Sequence, residues 1–351
     1  MNVALVGCGN IAARYARCIA AADGLGLVGA TDLDLARAEA LVAEHGGVVY
    51  RTLDELLADE RVDTVVNLTI AASHVAVTAA ALEAGKHVHS EKPLALRYED
   101  ARTLVEIALR NGVRLSSAPA TLLGEAQQSA WKLLRDGAVG PVRVVYAEAN
   151  WGRLERWHPD PTGIYAVGPL ADVGVYPLAI MTAIFGPVRR VHAYAATLET
   201  DRVHLDGRPF RLEAPDFVVT SLELADGVVA RLTASFYVAP SKQRGLEFHG
   251  DDGSLYMPTW DTFDARLELQ ARGGEYRTVP PLREPYAGID WSRALSDLAE
   301  AVAEGRPHRA SGEHAAHIVE VLEAAQASVA DGRYVAVHSD FRRPEPVDWA
   351  R

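Results

Sequence analysis

The sequence predicts an α/β protein in which a doubly wound parallel sheet is followed by an α+β domain. In the first third of the chain, short apolar runs alternate with amphipathic stretches, the pattern of a parallel sheet covered by helices. Beyond about residue 120, apolar and polar residues alternate along longer segments, which is typical of antiparallel strands. A glycine turn, Gly7-Cys8-Gly9-Asn10-Ile11-Ala12, joins the first apolar run to the first amphipathic stretch.

The first third of the chain is predicted to form six strands and five helices. Apolar runs bounded by turn residues predict strands at residues 3–6, 27–31, 48–50, 62–69, 87–89 and 113–115. Helical spacing of apolar residues predicts helices at 11–22, 35–45, 53–58, 73–84 and 98–111. Gly85 and Gly112 follow two of these helices, where glycine commonly ends a helix.

The remainder of the chain is predicted to be an antiparallel sheet interrupted by helices. Alternating segments predict strands at 142–150, 189–197, 217–224, 228–236 and 266–270. Helices are predicted at 124–136, 171–185, 292–304 and 313–329. Short Asp-Gly turns separate several strands. We therefore divide the chain into a dinucleotide-binding domain, residues 1–120, and a second domain, 121–351, for substrate binding and oligomerisation.

Composition and charge disfavour several functional classes. The formal net charge of −12 argues against nucleic acid or an anionic membrane as the main partner. Neither Cys8 nor Cys18 belongs to a CxxC pair, and no HExxH pattern is present, so we expect neither a disulfide scaffold nor a metal site. No apolar run reaches the length of about 18 residues that a membrane-spanning helix needs. The N-terminus runs directly into a strand without a signal peptide, so we expect a cytoplasmic protein.

The glycine turn predicts a dinucleotide site. It follows the G-x-G-x-x-G/A form between a strand and a helix N-terminus, the context that the chemistry requires. Gly7 permits the tight turn, Gly9 lets the backbone approach a pyrophosphate, and Ala12 allows close packing of the helix on the strand.

Asp32 ends the second predicted strand, about 20 residues beyond the glycine turn, where an acidic residue binds the adenosine ribose hydroxyls. A carboxylate there repels a 2′-phosphate, so we expect NAD, with NADP possible. Asp34 is the alternative ribose ligand, and Arg37 is able to soften the preference.

Lys92 lies at the end of another predicted strand of the same sheet, immediately before Pro93. A dinucleotide cradle and a strand-end lysine within one α/β half predict a redox enzyme whose proton chemistry runs through Lys92. An exposed structural lysine is the competing interpretation.

The motifs in this order resemble the glucose–fructose oxidoreductase / inositol dehydrogenase (Gfo/Idh/MocA) family along the whole chain. The Glu-Lys-Pro and Asp-x-Gly-x-Tyr segments are the most specific parts. The matching residues are Gly7, Gly9, Ala12, Asp32, Thr69, His74, Ala84-Gly85-Lys86-His87-Val88, Glu91-Lys92-Pro93 and Leu170-Ala171-Asp172-Val173-Gly174-Val175-Tyr176.

This resemblance implies an N-terminal Rossmann domain, a C-terminal domain with a large, mostly antiparallel sheet, and a bound nicotinamide cofactor. It also implies sugar or polyol substrates, homodimers or homotetramers built on the open sheet face, and a bond before Pro93 that is often cis. His74 has local capping of its helix as an alternative role. The expected cofactor-binding residues are Gly7, Gly9, Asn10, Ile11, Asp32, Thr69, His74, Glu91 and Lys92.

The sequence departs from the family pattern in two places. Thr69-Ile70 stands where relatives often carry Thr-Pro, which changes the expected wall beside the nicotinamide. Tyr176 stands where inositol dehydrogenase-like members carry a histidine, and Ala179 where they often carry an acid. With tyrosine at position 176, the sequence resembles instead the glucose–fructose oxidoreductase, dihydrodiol dehydrogenase and sugar ketoreductase branches of the family.

Hydride transfer from a carbinol carbon requires a group that takes the hydroxyl proton, or returns it in reverse. A phenol with a pKa of about 10 is a weak base at neutral pH, but a neighbouring ammonium lowers its pKa. We therefore expect Tyr176 to be the acid or base, Lys92 its activator and Asp172 the orienting residue. Lys92 as the proton-transfer group is the alternative. In a regular helix Asp172 and Tyr176 share a face, although Pro177 places the helix start near it.

An aromatic stretch before Asp172 suits a sugar pocket, because aromatic faces and a few donors are typical of such sites. A rim or an oligomer contact is the alternative. The expected substrate-binding residues are Trp151, Arg153, Trp157, His158 and Tyr165.

The sequence thus favours an NAD(P)-dependent dehydrogenase or reductase acting on a sugar, polyol or related cyclic alcohol. Two alternatives use the same cofactor cradle: a glycosidase that works through transient oxidation, and a non-catalytic NAD-binding regulator. Lys92, Asp172 and Tyr176 together favour an enzyme, since a sensor needs only the cradle.

Overall fold

The computed structural model describes residues 1–239 and 241–351, which form two units. The first unit consists of Met1–Ala120 and Asp290–Val319. The second consists of Thr121–Ile289 and Glu320–Arg351.

Six parallel strands form the sheet of the first unit within the described residues. They are β1 (Asn2–Val6), β2 (Gly26–Thr31), β3 (Val48–Val49), β4 (Thr64–Asn67), β5 (His87–Ser90) and β6 (Leu115–Ser117). Their order, β3-β2-β1-β4-β5-β6, reverses direction between β1 and β4, as in a doubly wound sheet. The predicted Rossmann-type sheet is confirmed, and every strand bound lies within two residues of its prediction.

Helices cover both faces of this sheet. They are α1 (Ala12–Ala21), α2 (Leu35–His45), α3 (Leu53–Ala58), α4 (His74–Glu83) and α5 (Tyr98–Arg110). Successive residues of one strand point to opposite faces: Leu5 packs in a cluster with Ile19 of α1. Its neighbour Ala4 packs in a second cluster, with Leu82 of α4 and Leu104 of α5. Because both faces are buried, the strands read as continuous apolar runs.

The second unit contains a sheet of nine strands among the described residues. From one edge of the sheet to the other, the strands are formed by residues 277–279, 267–271, 253–257, 245–250, 142–150, 229–235, 217–224, 188–196 and 335–336. The strands of this unit, including a separate two-stranded hairpin, are β7 (Val142–Asn150), β8 (Val188–Ala196), β9 (Asp201–Val203), β10 (Pro209–Arg211), β11 (Phe217–Leu224), β12 (Val229–Ser235), β13 (Gly245–Gly250), β14 (Gly253–Met257), β15 (Leu267–Ala271), β16 (Arg277–Val279) and β17 (Val335–Ala336).

Neighbouring strands of the large sheet are antiparallel, except that β7 and β12 run parallel. The predicted mostly antiparallel sheet is therefore confirmed. Burial alternates residue by residue along β11, which is the pattern that predicted this strand. The sequence prediction did not include β9, β10, β13, β14, β16 or β17; none of these is longer than six residues, and β13 and β14 begin at glycine.

Three helices precede β8 in the second unit: α6 (Glu125–Arg135), α7 (Thr162–Val167) and α8 (Val175–Phe185). A π-helical turn, Leu170–Gly174, leads directly into α8. The single predicted helix at 171–185 is thus divided into a π turn and an α-helix. Pro177 is the third residue of α8, in the first turn, where a missing backbone N–H costs least.

The segment Asp290–Val319 belongs to the first unit, although the sequence division at residue 120 assigned it to the second domain. It contains α9 (Arg293–Glu304) and the start of α10 (Gly312–Asp331). His308 Nε2 lies 2.9 Å from the carbonyl oxygen of Leu115, and the N–H of Ser117 donates to Ala310 O at 3.1 Å. These contacts satisfy backbone groups of the edge strand β6. In the described part of the chain, no helix has the length and apolar character needed to cross a membrane.

Candidate active site

The ends of the parallel strands bring the predicted cofactor residues to one edge of the first unit. Val6 pairs with Thr31 and with Asn67 in register, and Asn67 pairs with Ser90. The residues that follow these four in the chain therefore share the carboxyl edge of the sheet. Among them are Gly7, Asp32, Thr69, Glu91 and Lys92. This edge, at the reversal of strand order, is where doubly wound sheets bind their ligands.

The glycine turn has the shape that a pyrophosphate needs. Gly7 has φ +94°, and a Cβ there would lie 2.8 Å from the Leu68 carbonyl group, so only glycine fits between β1 and the end of β4. A Cβ on Gly9 would meet nothing within 4 Å, which leaves open space in front of the backbone. Asn10 is exposed and Ile11 half-buried just before α1. The residues present therefore fit a dinucleotide whose pyrophosphate lies at the start of α1.

Asp32 is joined to the glycine turn by its carboxylate. Its Oδ2 accepts the N–H of Cys8 at 2.6 Å, and its Oδ1 accepts the N–H of Asp34 at 2.8 Å. Asp34 instead caps α2, accepting the N–H of Ala36 at 3.2 Å, and its carboxylate lies 3.3 Å from Arg37. Of the two predicted ribose ligands, Asp32 is thus the one in contact with the glycine turn.

The turn after β4 is held by buried Asn67. Its Oδ1 accepts the hydroxyl of Thr69 at 2.6 Å, and its Nδ2 donates to His74 O and to Thr78 Oγ1, both at 3.0 Å. The ring of His74 is buried, with Nδ1 2.7 Å from Pro93 O and Nε2 3.0 Å from Thr69 O. His74 therefore joins the turn after β4 to the turn after β5.

Glu91, Lys92 and Pro93 form the turn after β5. The expected cis peptide bond between Lys92 and Pro93 is present. The Lys92 side chain is half-buried, whereas Glu91 is buried and its carboxylate accepts the hydroxyl of Tyr15 at 2.8 Å and the N–H of Lys92 at 3.1 Å. Sequence reasoning missed Tyr15, because nothing in the pattern of α1 distinguishes it from a core tyrosine.

In the second unit, Asp172 lies in the π turn and Tyr176 in the first turn of α8. The spacing that predicts a shared face in a regular α-helix therefore does not apply directly, since a π turn alters the angular step between residues. The Asp172 N–H donates to Gly168 O at 3.0 Å.

Trp260, which the sequence did not single out, packs against Tyr176 with ring centroids 4.7 Å apart. The indole N–H of Trp260 donates to Glu148 O of β7 at 3.1 Å, and the amide of Gln127 donates to Thr262 O at 3.0 Å. Tyr176, half-buried, therefore rests on an aromatic ring that is itself held in place.

The predicted aromatic stretch divides into exposed and buried members. Trp151 and Trp157 are 42% and 51% exposed and pack edge to face with centroids 5.6 Å apart. His158 packs against Trp157 at 5.6 Å, and the guanidinium of Arg153 pairs with Glu199. The exposed rings offer a polar-rimmed aromatic surface.

Tyr165, by contrast, is buried. Its hydroxyl donates to Glu155 and accepts the N–H of Leu154 at 3.1 Å. Burial, together with the hydrogen bond to Glu155, raises the pKa of Tyr165 above its usual range. Buried Arg202 binds Glu155 at 2.9 Å and also Asp216, so Tyr165 belongs to a buried ionic scaffold. No sequence spacing links these charged residues, which is why they were missed.

Family models match both parts of the chain. Residues 1–118 match the oxidoreductase family with an NAD-binding Rossmann fold, and residues 127–256 match the GFO/IDH/MocA C-terminal domain. The chain belongs to the Gfo/Idh/MocA family. It is an oxidoreductase with an NAD-binding first unit, as the motifs predicted.

Curated Gfo/Idh/MocA relatives match along most of the chain. One, the D-apiose dehydrogenase of Paraburkholderia graminis, is 26% identical, with 96% of this chain and 89% of the relative covered. The dTDP-3,4-didehydro-2,6-dideoxy-alpha-D-glucose 3-reductase of Streptomyces violaceoruber is 30% identical, with 90% and 91% covered. Among solved structures, an NAD binding oxidoreductase from Klebsiella pneumoniae shares the fold, with a TM-score of 0.85, 23% identity, and 97% and 100% of the two chains covered.

Proposed function

We propose that this chain is an NAD-dependent dehydrogenase or reductase that acts on a sugar, a polyol or a related cyclic alcohol. The observation that carries the proposal is the shared strand edge of the first unit, where the glycine turn, Asp32 and Lys92 follow neighbouring parallel strands. The substrate class is supported by two relatives, one named as a dehydrogenase of D-apiose and one as a reductase of a dTDP-sugar.

NAD, rather than NADP, is the proposed cofactor. The carboxylate of Asp32 at the glycine turn is suited to accept hydrogen bonds from ribose hydroxyls and disfavours a 2′-phosphate. Arg37, the basic residue that the sequence offers for a 2′-phosphate, lies 3.3 Å from the Asp34 carboxylate and is paired with it. The nicotinamide of NAD, when bound, supplies the hydride acceptor or donor.

Three side chains are proposed to handle the proton. Tyr176 takes the hydroxyl proton during oxidation and returns it during reduction, and Lys92 supplies the positive charge that favours its phenolate. Lys92 also stabilises negative charge on the substrate oxygen. Asp172 orients the reacting groups.

The surface formed by exposed Trp151 and Trp157 and half-buried His158 is proposed to hold the sugar ring. Flat aromatic faces bury the apolar C–H groups of a sugar, while Arg153 and His158 donate hydrogen bonds to its hydroxyls. The Arg202 scaffold, which includes buried Tyr165, keeps this surface in shape rather than touching the substrate.

A homodimer or homotetramer through the open face of the large sheet is also proposed. Neighbouring strands place a row of polar and aromatic side chains in register across this face, and β7 and β13 border a cavity of about 480 Å³. The row consists of His192, Ser221, Arg231, Tyr146, Glu247, Tyr256 and Glu268. Such mixed charges and tyrosines suit a self-complementary interface.

A substrate panel tests the activity directly. Aldoses, inositols, ketosugars and dihydrodiols are each incubated with NAD, NADP or their reduced forms, and nicotinamide absorbance is followed. We expect turnover with at least one substrate and faster turnover with NAD. Protein that binds NADH yet turns over none of these substrates would contradict the proposed activity and favour the glycosidase or regulator.

On the substrate that the panel identifies, Lys92→Ala is expected to lower kcat by about 10²–10⁴-fold, because it removes the charge that assists proton transfer. Lys132→Ala is the matched control, since Lys132 is a half-buried lysine of the second unit that pairs with Asp136 at 3.1 Å and donates to Arg351 O at 3.2 Å. Wild-type turnover by Lys92→Ala would disprove the assigned role of Lys92.

A further inference from the structure

The backbone of Lys92 is connected to helix α1 through a buried carboxylate. The hydroxyl of Tyr15, on the first turn of α1, donates to Glu91 Oε1 at 2.8 Å. The other oxygen, Oε2, accepts the N–H of Lys92 at 3.1 Å. Tyr15 is 2% exposed and Glu91 6% exposed, so water does not readily replace either bond.

The neighbours of Tyr15 define the direction of these hydrogen bonds. The Tyr15 oxygen lies 3.3 Å from His89 Nε2, and His89 Nδ1 lies 2.9 Å from the hydroxyl of Ser116, its partner on β6. Burial, aided by the charge of His308, lowers the pKa of His89 to about 4, so its ring is neutral near pH 7. Because the phenol proton goes to Glu91, we assign the His89 N–H to Nε2, with Nδ1 accepting from Ser116.

These bonds matter because burying a carboxylate costs more folding free energy when one of its oxygens loses its hydrogen-bond donor. Phenylalanine at position 15 would keep the ring packing against Trp291, where the centroids are 5.4 Å apart, but would leave Glu91 Oε1 without the Tyr15 donor. The carboxylate would then shift toward other donors and loosen its hold on the Lys92 N–H.

The residue after Lys92 is held as well. The carbonyl oxygen of Pro93 lies 2.7 Å from His74 Nδ1 at the start of α4. The residues on either side of Lys92 are therefore fixed from two different helices. One of these helices, α1, begins at the glycine turn.

We propose that Tyr15 is a positioning residue that acts through Glu91 to hold the backbone from which the Lys92 side chain extends. This inference rests on the proposed function, in which Lys92 handles the proton. Tyr15 touches neither substrate nor reacting atoms in this role. The competing role is core packing alone, which the Tyr15 ring shares with any buried aromatic residue.

The test compares Tyr15→Phe with Tyr50→Phe. Tyr50 is a suitable control because its hydroxyl also donates to a carboxylate in the first unit, Asp59 Oδ2, at 2.7 Å. Two readouts need no substrate: hydrogen exchange of the Lys92 amide, and competitive acetylation of lysines by acetic anhydride, both read by mass spectrometry on the full chain. The chain has only the lysines Lys86, Lys92, Lys132 and Lys242, so each is resolved separately.

In Tyr15→Phe, the Lys92 amide is expected to exchange about tenfold faster and Lys92 to be acetylated about threefold faster than in the wild type. Lys86, which donates to Asp59 O and Val62 O, is the internal reference and stays unchanged in Tyr15→Phe. Tyr50→Phe leaves Lys92 unchanged. Glu91→Met is the second variant and reproduces the Lys92 effects, because a thioether side chain of similar length lacks the carboxylate oxygen that accepts the Lys92 N–H.

On the panel substrate, kcat of Tyr15→Phe is expected to fall about tenfold, since the loosened Glu91 carboxylate lets the Lys92 side chain move from its place. Unaltered exchange and acetylation of Lys92 in Tyr15→Phe would overturn the positioning role, whatever the turnover. If the wild type turns over no substrate but Lys92 still responds, the positioning role stands and the proposed function fails.

Discussion

At the residue scale, Asp32 shapes the electrostatics of the cofactor edge. Its carboxylate accepts two backbone N–H groups, which hold it beside the glycine turn, where we propose that the ribose binds. Burial, with the Asp32 charge as a second cause, raises the pKa of the Cys8 thiol to about 12. The same negative potential that keeps Cys8 protonated disfavours a 2′-phosphate at this position.

Asp32→Ser is expected to weaken NAD binding and to lower the preference for NAD over NADP by about tenfold, because a repulsive charge is removed while a hydroxyl remains. Fluorescence titration with NADH and NADPH measures both affinities. Asp63→Ser is the control, since the Asp63 carboxylate also accepts a backbone N–H, that of Asn2 at 2.7 Å, but lies directly before β4 rather than after a strand. An unchanged preference in Asp32→Ser, or an equal shift in Asp63→Ser, would show that Asp32 does not contact the ribose.

At the element scale, strand β5 contains a buried histidine and leads into the turn of the proposed catalytic lysine. His89 is buried within it and bonded to Ser116 of β6, while the strand ends in the turn that carries Lys92. Parallel strands with both faces covered leave no water to solvate a charged imidazole. Protonation of His89 therefore opposes the packing of this strand.

Acidification is expected to destabilise the first unit through His89. Its pKa is about 4 in the folded chain, against about 6.5 unfolded, so between these values the unfolded state binds more protons and stability is lost as the pH falls. From pH 7 to pH 5 the free energy of unfolding should fall by about 2 kcal/mol from this residue. Urea unfolding at each pH, monitored by hydrogen exchange of β5, measures this free energy.

His89→Gln is the matched variant, because glutamine removes the titrating group. We expect a shallower loss of stability between pH 7 and pH 5 in this variant. An equal loss in His89→Gln and the wild type would show that other groups cause the acid sensitivity.

At the scale of the whole molecule, helix α8 and the π turn before it cover one face of the large sheet in the second unit. The other face of this sheet is open. The open face carries Arg231 over the ring of Tyr146, 4.5 Å from its centroid, with Glu247 beside Tyr146 on β13. Val229, on β12, is also exposed. Charged, aromatic and apolar groups thus share one broad surface.

Arg231→Glu is expected to shift the protein toward monomer, because it reverses a charge at the centre of this face and breaks the contact with Glu148 at 2.7 Å. Sedimentation velocity at several protein concentrations measures the assembly state. Arg102→Glu on α5 is the control, since Arg102 pairs only with exposed helix neighbours among its described ion pairs. The same sedimentation coefficient for Arg231→Glu and wild type would exclude this face as the interface.

The sequence by itself determined the fold class, the family and the edge at which the predicted cofactor residues meet. These features depend on local patterns: the glycine turn, the alternation of apolar residues, and the identity of the residue that ends each strand. Asp32 and Lys92 were predictable because parallel strands bring their carboxyl ends to one edge, whatever the details of packing. The strand bounds of the first unit were predictable because local patterns, apolar runs bounded by turn residues, mark where each strand begins and ends.

Only the tertiary structure decided which side chains hold those residues in place. Tyr15 and Glu91 are 76 positions apart, and Trp260 reaches Tyr176 from a loop beyond β14. The return of residues 290–319 to the first unit likewise depends on hydrogen bonds to the edge strand β6. Contacts between distant residues leave no trace in local composition or spacing, because burial and a partner's position arise only when the chain has folded.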